Sequence, residues 1–356
     1  MKKILITAYD LNIGGIEKSL INLLNEVHNK YDITLVLEHK TGDLLDLIPD
    51  NIIVKEYKVF KYKNILIQKI FNFIKFLKWS IKNKNKYDYS VCYATYSLPG
   101  KKLALKASKN NIIWIHSNYK LIYKEDEKVR EFYKLMELEK FKKCIFVSKD
   151  AYEDSIKIYP EISFKSIVCN NYINLDEIKE KSKEKININK PKETLFINVG
   201  RHDEESKRLT RLIEACNKLK NDNLKFKLLM VGDGPDNTSY KELVKKYNLE
   251  KEIIFIGSKK NPYPYYELAD CVVLSSDYEG YPVVFLESLA LNKPIISTKV
   301  SDYKEIEQYG FFVDKNSEEL YLAMKKFILG DYNFKNNYNI IKLNNKIDEI
   351  IEKIFN

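Results

Sequence analysis

The run Gly200-Arg201-His202-Asp203-Glu204-Glu205-Ser206-Lys207-Arg208 follows a short apolar segment and leads into a stretch of helical periodicity. Arg201 then stands directly after a strand, and Lys207 at or near the start of a helix. Two cations converging above a sheet edge, backed by the positive end of a helix, would hold a diphosphate. A second anion site is written in Asn12-Ile13-Gly14-Gly15-Ile16-Glu17-Lys18-Ser19, where two glycines allow close backbone approach and a helix opens with free N–H groups. That pattern suits a phosphate of a nucleotide or a lipid, and by itself it is also a plain tight turn. The third segment, Ser275 to Ala290, carries Glu279 and Glu287 around Gly280-Tyr281-Pro282. Pro282 suits the first turn of a helix, which leaves Glu279 in the loop and Glu287 in the second turn. Among Val283, Val284, Phe285 and Leu286 a carboxylate is costly unless a polar group bonds it, and a ribose diol is such a group.

The elements that must position these residues are legible as an alternation. Apolar, β-branched runs at Lys3–Ala8, Ile33–Leu37, Ser90–Ala94, Ile112–His116 and Lys143–Val147 are separated by helical patterns. A second series follows at Leu195–Val199, Lys227–Val231, Ile253–Ile256, Cys271–Leu274 and Pro294–Ser297. Short continuous apolar runs between helices imply parallel strands covered on both faces, so each series reads as a doubly wound α/β domain. The expected division is a domain over 1–173, a polar linker over 174–192 closed by Pro191, a second domain over 193–335 and an amphipathic terminal helix over 336–356. In such sheets ligands sit beyond the carboxyl ends of the strands, and two facing domains would share one cleft there.

Charge separates the halves. Residues 1–175 hold 30 Lys+Arg against 20 Asp+Glu, and residues 176–356 hold 30 against 30, so the net +10 belongs to the first half, which should meet something anionic. With 45% hydrophobic residues and 20 Gly and Pro together, the chain is neither disordered nor a Pro-rich scaffold. The five cysteines show no metal-ligand or CxxC spacing and read as buried free thiols of a reducing compartment. MKKILITAYD lacks a cleavage pattern and reads as a first strand rather than a signal peptide. Between Val59 and Lys86 lie eight lysines, no acid and many Ile, Leu and Phe, with a helix expected over residues 64–82. Its longest uncharged run is five residues, too short to cross a bilayer. Two readings stand for it: a core helix with lysines snorkelling at its edge, or a helix lying on anionic lipid. The confinement of net charge to the same half favours lipid. Nucleic acid is disfavoured, since there is no zinc-finger spacing, no RNP-type strand motif and no Arg-rich stripe.

Taken together, the Glu279 to Glu287 pattern, the Gly200-Arg201 to Arg208 segment and Val231-Gly232-Asp233-Gly234-Pro235 resemble the retaining nucleotide-sugar glycosyltransferases of the GT-B fold, family 4. The likeness is dense from about Thr194 to Asp314. In the first half it rests on Gly14-Gly15-Ile16-Glu17 and on the strand ending in His116-Ser117. It implies two Rossmann-like domains facing across a cleft, with the C-terminal helix packing back toward the N-terminal domain. It also implies roles: Arg201 and Lys207 on the donor diphosphate, Glu287 on the ribose, Glu279 beside the transferred sugar, and Gly15 against a phosphate. His116 would lie near the sugar, Gly232 would frame the base pocket, and Gly280, Tyr281 and Pro282 would line the donor loop. His116 and Gly232 each keep a plain structural reading, as a satisfied histidine and as a turn. Two departures stand out. The spacing from Arg201 to Lys207 is one residue longer than the commonest form, so Arg208 is an alternative to Lys207. Val300-Ser301-Asp302 stands where a Gly-Gly turn is usual, which makes Ser301 and backbone amides candidates there.

The implied reaction is hexosyl transfer with retention, from a nucleoside diphosphate sugar, UDP foremost, to a glycan or lipid-linked acceptor of cell-surface polysaccharide. No Asp-x-Asp occurs in the chain, which fits side-chain cations in place of a metal; no cofactor is expected beyond the donor. The setting implied is cytoplasmic and peripheral, at the inner face of the plasma membrane. Two rival readings are a non-catalytic partner of the same fold and a nucleotide-sugar epimerase.

Overall fold

The computed structural model describes residues 1–335 and 337–355, and the chain divides into two compact units. The first comprises Met1–Tyr172 with the chain from Ile347 onward, and the second Ile173–Lys346.

Unit 1 is built on seven parallel strands: β1 (Lys3–Ala8), β2 (Asp32–Leu37), β3 (Ile53–Glu56), β4 (Tyr89–Cys92), β5 (Asn111–Ile115), β6 (Lys143–Phe146) and β7 (Ser166–Val168). Their order in the sheet is β3-β2-β1-β4-β5-β6-β7. Unit 2 has six: β8 (Thr194–Val199), β9 (Phe226–Val231), β10 (Ile253–Phe255), β11 (Cys271–Leu274), β12 (Ile295–Thr298) and β13 (Gly310–Val313), ordered β10-β9-β8-β11-β12-β13. Both sheets grow outward from their first strand in one direction and then the other. The order therefore reverses beside β1 and β8, and the loops after β1, β4, β8 and β11 flank the two switch points. In unit 2, Phe196, Met230, Val273 and Ile296 pack against Leu212 and Cys216 of helix Leu209–Asn221 and Met324 of helix Ser317–Ile328.

Three strands lie outside the apolar runs that announce the others. β3 is a half-exposed edge, β7 has three residues, and β13 follows a 3-10 turn rather than a long helix, so none shows a continuous buried run. The segment 174–192 is not bare linker. Asn174 caps a helix, Leu175–Lys181, by accepting from the Glu177 N–H at 3.0 Å. Pro282 stands one residue before helix Val283–Ala290 with extended backbone, so it is the cap and not the first turn. All five cysteines are buried free thiols, and burial pushes those of Cys92, Cys144 and Cys169 up to about 12.

The terminal helix Ile340–Phe355 buries Ile347, Ile351 and Ile354, and leaves Ile341 exposed. Its end is tied into unit 1. Lys2 donates to the Phe355 carbonyl at 2.8 Å, Lys143 donates to the Lys353 and Ile354 carbonyls, and the Phe355 ring lies 5.3 Å from that of Tyr31.

The lysine-rich segment forms helix Ile65–Asn83, opened by Asn64, whose side chain accepts from Leu66 and Ile67 N–H groups. The core-helix reading is overturned, because only Ser80 and Asn83 of this helix are buried. Among the described residues no helix is long and apolar enough to cross a membrane.

Candidate functional site

The loop after β8 and the loop after β11 meet through side chains. Lys207 Nζ donates to Glu279 Oε1 at 2.5 Å, and Ser276 Oγ donates to the same oxygen at 2.7 Å. Both charged groups are largely buried, at 25% and 13% side-chain exposure, so the pair is held in place rather than waving in solvent. Backbone contacts fix the two loops: the Asp277 N–H donates to the Ser206 carbonyl at 2.8 Å, and Ser275 Oγ to the Lys207 carbonyl at 2.8 Å. From β12, Thr298 Oγ1 donates to the Ser276 carbonyl at 2.5 Å.

Beside this pair lies a clamp that sequence reasoning missed. Arg208 Nε and Arg211 Nη2 donate to the two oxygens of Asp277 at 2.6 and 2.7 Å, and Arg211 Nη1 donates to the Ser275 carbonyl at 2.6 Å. Burial works to raise the Asp277 carboxyl, but the two guanidinium bonds outweigh it and hold it below the usual carboxylate range. The signal was present: Arg208 and Arg211 are three apart at a helix start and share a face. Both candidate cations are thus ion-paired: Arg208, with left-handed backbone (φ +51°), to Asp277 and Glu204, and Lys207 to Glu279.

Arg201 keeps two-thirds of its side chain exposed, and its ion pair is the long one to Asp203 at 3.9 Å. It is thus more exposed than Lys207 or Arg208. Its neighbour His202 is wholly buried, donates from Nδ1 to Asn237 Oδ1 at 2.8 Å, and is pushed down by burial against the raising effect of that bond. Gly232 and Gly234 are required by backbone packing. A Cβ on Gly232 would stand 1.8 Å from the Gly200 carbonyl oxygen, and one on Gly234 would stand 2.2 Å from that of His202. The β9 turn therefore lies directly on the β8 loop, and its glycines serve that contact whatever else they frame.

Glu287 is almost fully buried, as its apolar neighbours require, and its partner is a protein group: Tyr266 donates its hydroxyl at 2.8 Å, and Tyr263 also hydrogen-bonds it. The burial argument for a ribose is thereby weakened, since the carboxylate is already served by phenols. Tyr281 is buried, Pro282 precedes the helix, and Ser301 donates to the Gly280 carbonyl, which ties the 299–302 turn to the Glu279 loop.

In unit 1, His116 follows β5 and is buried against Tyr93, with ring centroids 4.4 Å apart. Burial pushes its imidazole down to about 3, against the raising effect of the hydrogen bond it donates to the Tyr93 carbonyl, and its Nε2 has no hydrogen-bond partner. It is a neutral ring with one nitrogen to offer. Gly15 is the first residue of helix Gly15–Val27, and a Cβ placed on it would meet nothing within 4 Å. Among the described residues no cluster of three or more His, Cys, Asp and Glu has the arrangement of a metal site.

Residues 178–352 match the family model described as glycosyl transferases group 1. Among curated proteins, an uncharacterized glycosyltransferase of Methanocaldococcus jannaschii is 30% identical over 212 residues, 54% of this chain and 49% of that protein. The Campylobacter jejuni N-acetylgalactosamine-N,N'-diacetylbacillosaminyl-diphospho-undecaprenol 4-alpha-N-acetylgalactosaminyltransferase is 29% identical over 195 residues, 54% of this chain and 52% of that protein. The chain spans about half the length of these curated relatives. The crystal structure of Anabaena HepE in complex with UDP and glucose superposes with a TM-score of 0.75 at 16% identity, covering 99% of this chain and 100% of that one. The fold is that of the GT-B structures, two Rossmann-like α/β units.

Proposed function

We propose that this chain is a retaining glycosyltransferase of family 4 type, which moves a hexosyl unit from a nucleoside diphosphate sugar, UDP foremost, to a hydroxyl of a glycan or lipid-linked acceptor. The observation that carries the reading is the Lys207–Glu279 pair, held at 2.5 Å where the β8 and β11 loops meet, with the exposed cation Arg201 on the same loop as Lys207. In this reading the bond from the anomeric carbon to the diphosphate oxygen breaks as the bond to the acceptor oxygen forms on the same face. The acceptor proton passes to the departing phosphate oxygen. Charge gathers on the diphosphate, so catalysis asks for fixed positive groups more than for a strong base, and Arg201 and Lys207 supply them without a metal. Glu279 orients sugar hydroxyls, and Glu287 faces the ribose while Tyr266 holds it in place. Gly15 offers its backbone to a phosphate, and His116 offers a neutral imidazole to the sugar.

The relatives support the donor and acceptor classes. The Campylobacter protein's name describes transfer onto a diphospho-undecaprenol glycan, and HepE was crystallised with UDP and glucose. Surface polysaccharide assembly at the cytoplasmic face of a membrane is the corresponding setting. A thermal-shift panel of UDP, GDP and their sugars, with and without EDTA, tests the donor. Stabilisation by the UDP series that survives EDTA is the expected result. No shift from any nucleotide would point to a non-catalytic protein of the same fold, and sugar conversion without an acceptor would point to an epimerase.

A further inference from the structure

Helix Ile65–Asn83 is mounted with its apolar side outward. Polar residues of the helix are turned to the protein: Asn72 accepts from the Phe60 N–H at 2.8 Å and donates to the Phe60 carbonyl at 2.9 Å. Gln68 accepts from the Tyr62 N–H at 3.0 Å, and Lys75 donates to the Lys58 carbonyl at 2.5 Å while lying 4.8 Å from the Phe60 ring. Segment 58–62 has left the edge strand β3, so its backbone groups need partners, and the helix supplies them from its polar stripe. The opposite side follows by geometry. Leu66, Ile70, Phe73, Ile74, Leu77 and Ile81 are exposed, Ile81 by 84% and Leu66 by 70%.

A contiguous apolar ridge on a folded chain marks a contact surface. Its chemistry names the partner. On a helical projection Lys69 flanks one side of the ridge and Lys78 and Lys82 the other, and residues 59–86 contain no Asp or Glu. Apolar residues in the middle, cations at the edges and no acid form the arrangement of a helix lying in the plane of an anionic bilayer. We propose that helix Ile65–Asn83 docks this chain on an anionic lipid surface, with the ridge entering the acyl boundary and the flanking lysines meeting the headgroups. The inference uses this helix alone and stands apart from the transferase reading.

Co-sedimentation of the full chain with phosphatidylcholine vesicles, with and without phosphatidylglycerol, tests it. The chain pellets with the anionic vesicles, and the bound fraction falls as salt rises. Phe73→Asp with Leu77→Asp abolishes pelleting at an unchanged melting temperature, since both residues are exposed. Lys69→Gln, Lys78→Gln and Lys82→Gln each lower the partition coefficient about fivefold. Three results overturn the proposal: no pelleting of wild type with anionic vesicles, equal pelleting of the Asp variant, or a dimer by light scattering that the Asp variant dissociates in a chain indifferent to lipid. The lysine variants keep the ridge intact, so their response stands even if the Asp variant fails to fold.

Discussion

Lys207 and Glu279 neutralise each other through a 2.5 Å bond, so an arriving diphosphate competes with Glu279 for the ammonium. Removing the carboxylate frees the cation. Glu279→Ala should therefore lose transfer by at least about a hundredfold while nucleotide binding is kept or tightened, and Arg201→Ala should weaken nucleotide binding itself; calorimetric titration with UDP beside a transfer assay separates the two. Wild-type transfer by both variants would exclude the proposed roles. His116 makes a different kind of prediction. Its folded-state pKa lies far below that of the unfolded chain, so the unfolded state binds the extra proton first and stability declines as pH falls below about 6.5. His202, also lowered, adds in the same direction. Denaturant melts of His116→Gln should show a shallower loss between neutral pH and about pH 4. The pH–rate profile of wild type should contain no ionisation of His116 between about pH 5 and 8, because the ring is already neutral there.

At the scale of elements, glycines distinguish scaffold from ligand contact. Gly232 has a φ of +157° and its missing Cβ makes room for the Gly200 carbonyl, so Gly232→Ala should destabilise unit 2 by roughly 1–3 kcal/mol in urea denaturation. Gly15 has open space, so Gly15→Ala should change stability by less than about 1 kcal/mol. A loss of transfer in that variant would then report an approaching phosphate and not a damaged fold. The same scale shows what the sequence discloses. β1, β2, β4, β8, β9 and β11 are continuous apolar runs and were legible, as were the loops they position. β3 and β7 carry no such run, and in β13 the short Phe311-Phe312-Val313 run is only partly buried at the edge of its sheet. Lys207 and Glu279 could be singled out from type and position, whereas Asp277 could not. An acid between two recognised residues announces nothing until Arg208 and Arg211 are seen to converge on it. The Tyr266–Glu287 bond joins positions on separate helices, and helical periodicity is blind to it. Periodicity described the two faces of helix Ile65–Asn83 but not which would turn inward, because that depends on the backbone needs of residues 58–62.

At the scale of the whole molecule, the chain leaves unit 1 at Tyr172 and returns to it from Ile347. Ending the chain at residue 346 should therefore weaken the unit at the opposite end of the sequence. Ile351, Ile354 and Phe355 are buried, and their loss should cost unit 1 at least about 4 kcal/mol, with unit 2 still melting at its own temperature and still stabilised by UDP in differential scanning calorimetry. A single unchanged transition would contradict the assignment of the returning segment. The five cysteines, spread over both units, have a practical corollary. With every thiol buried and none ionising near neutrality, maleimides find almost no thiolate to attack. A single cysteine introduced at an exposed position such as Lys78 would be the one fast-reacting site, so a dye or spin label can be placed on either unit without first stripping the native sulfurs.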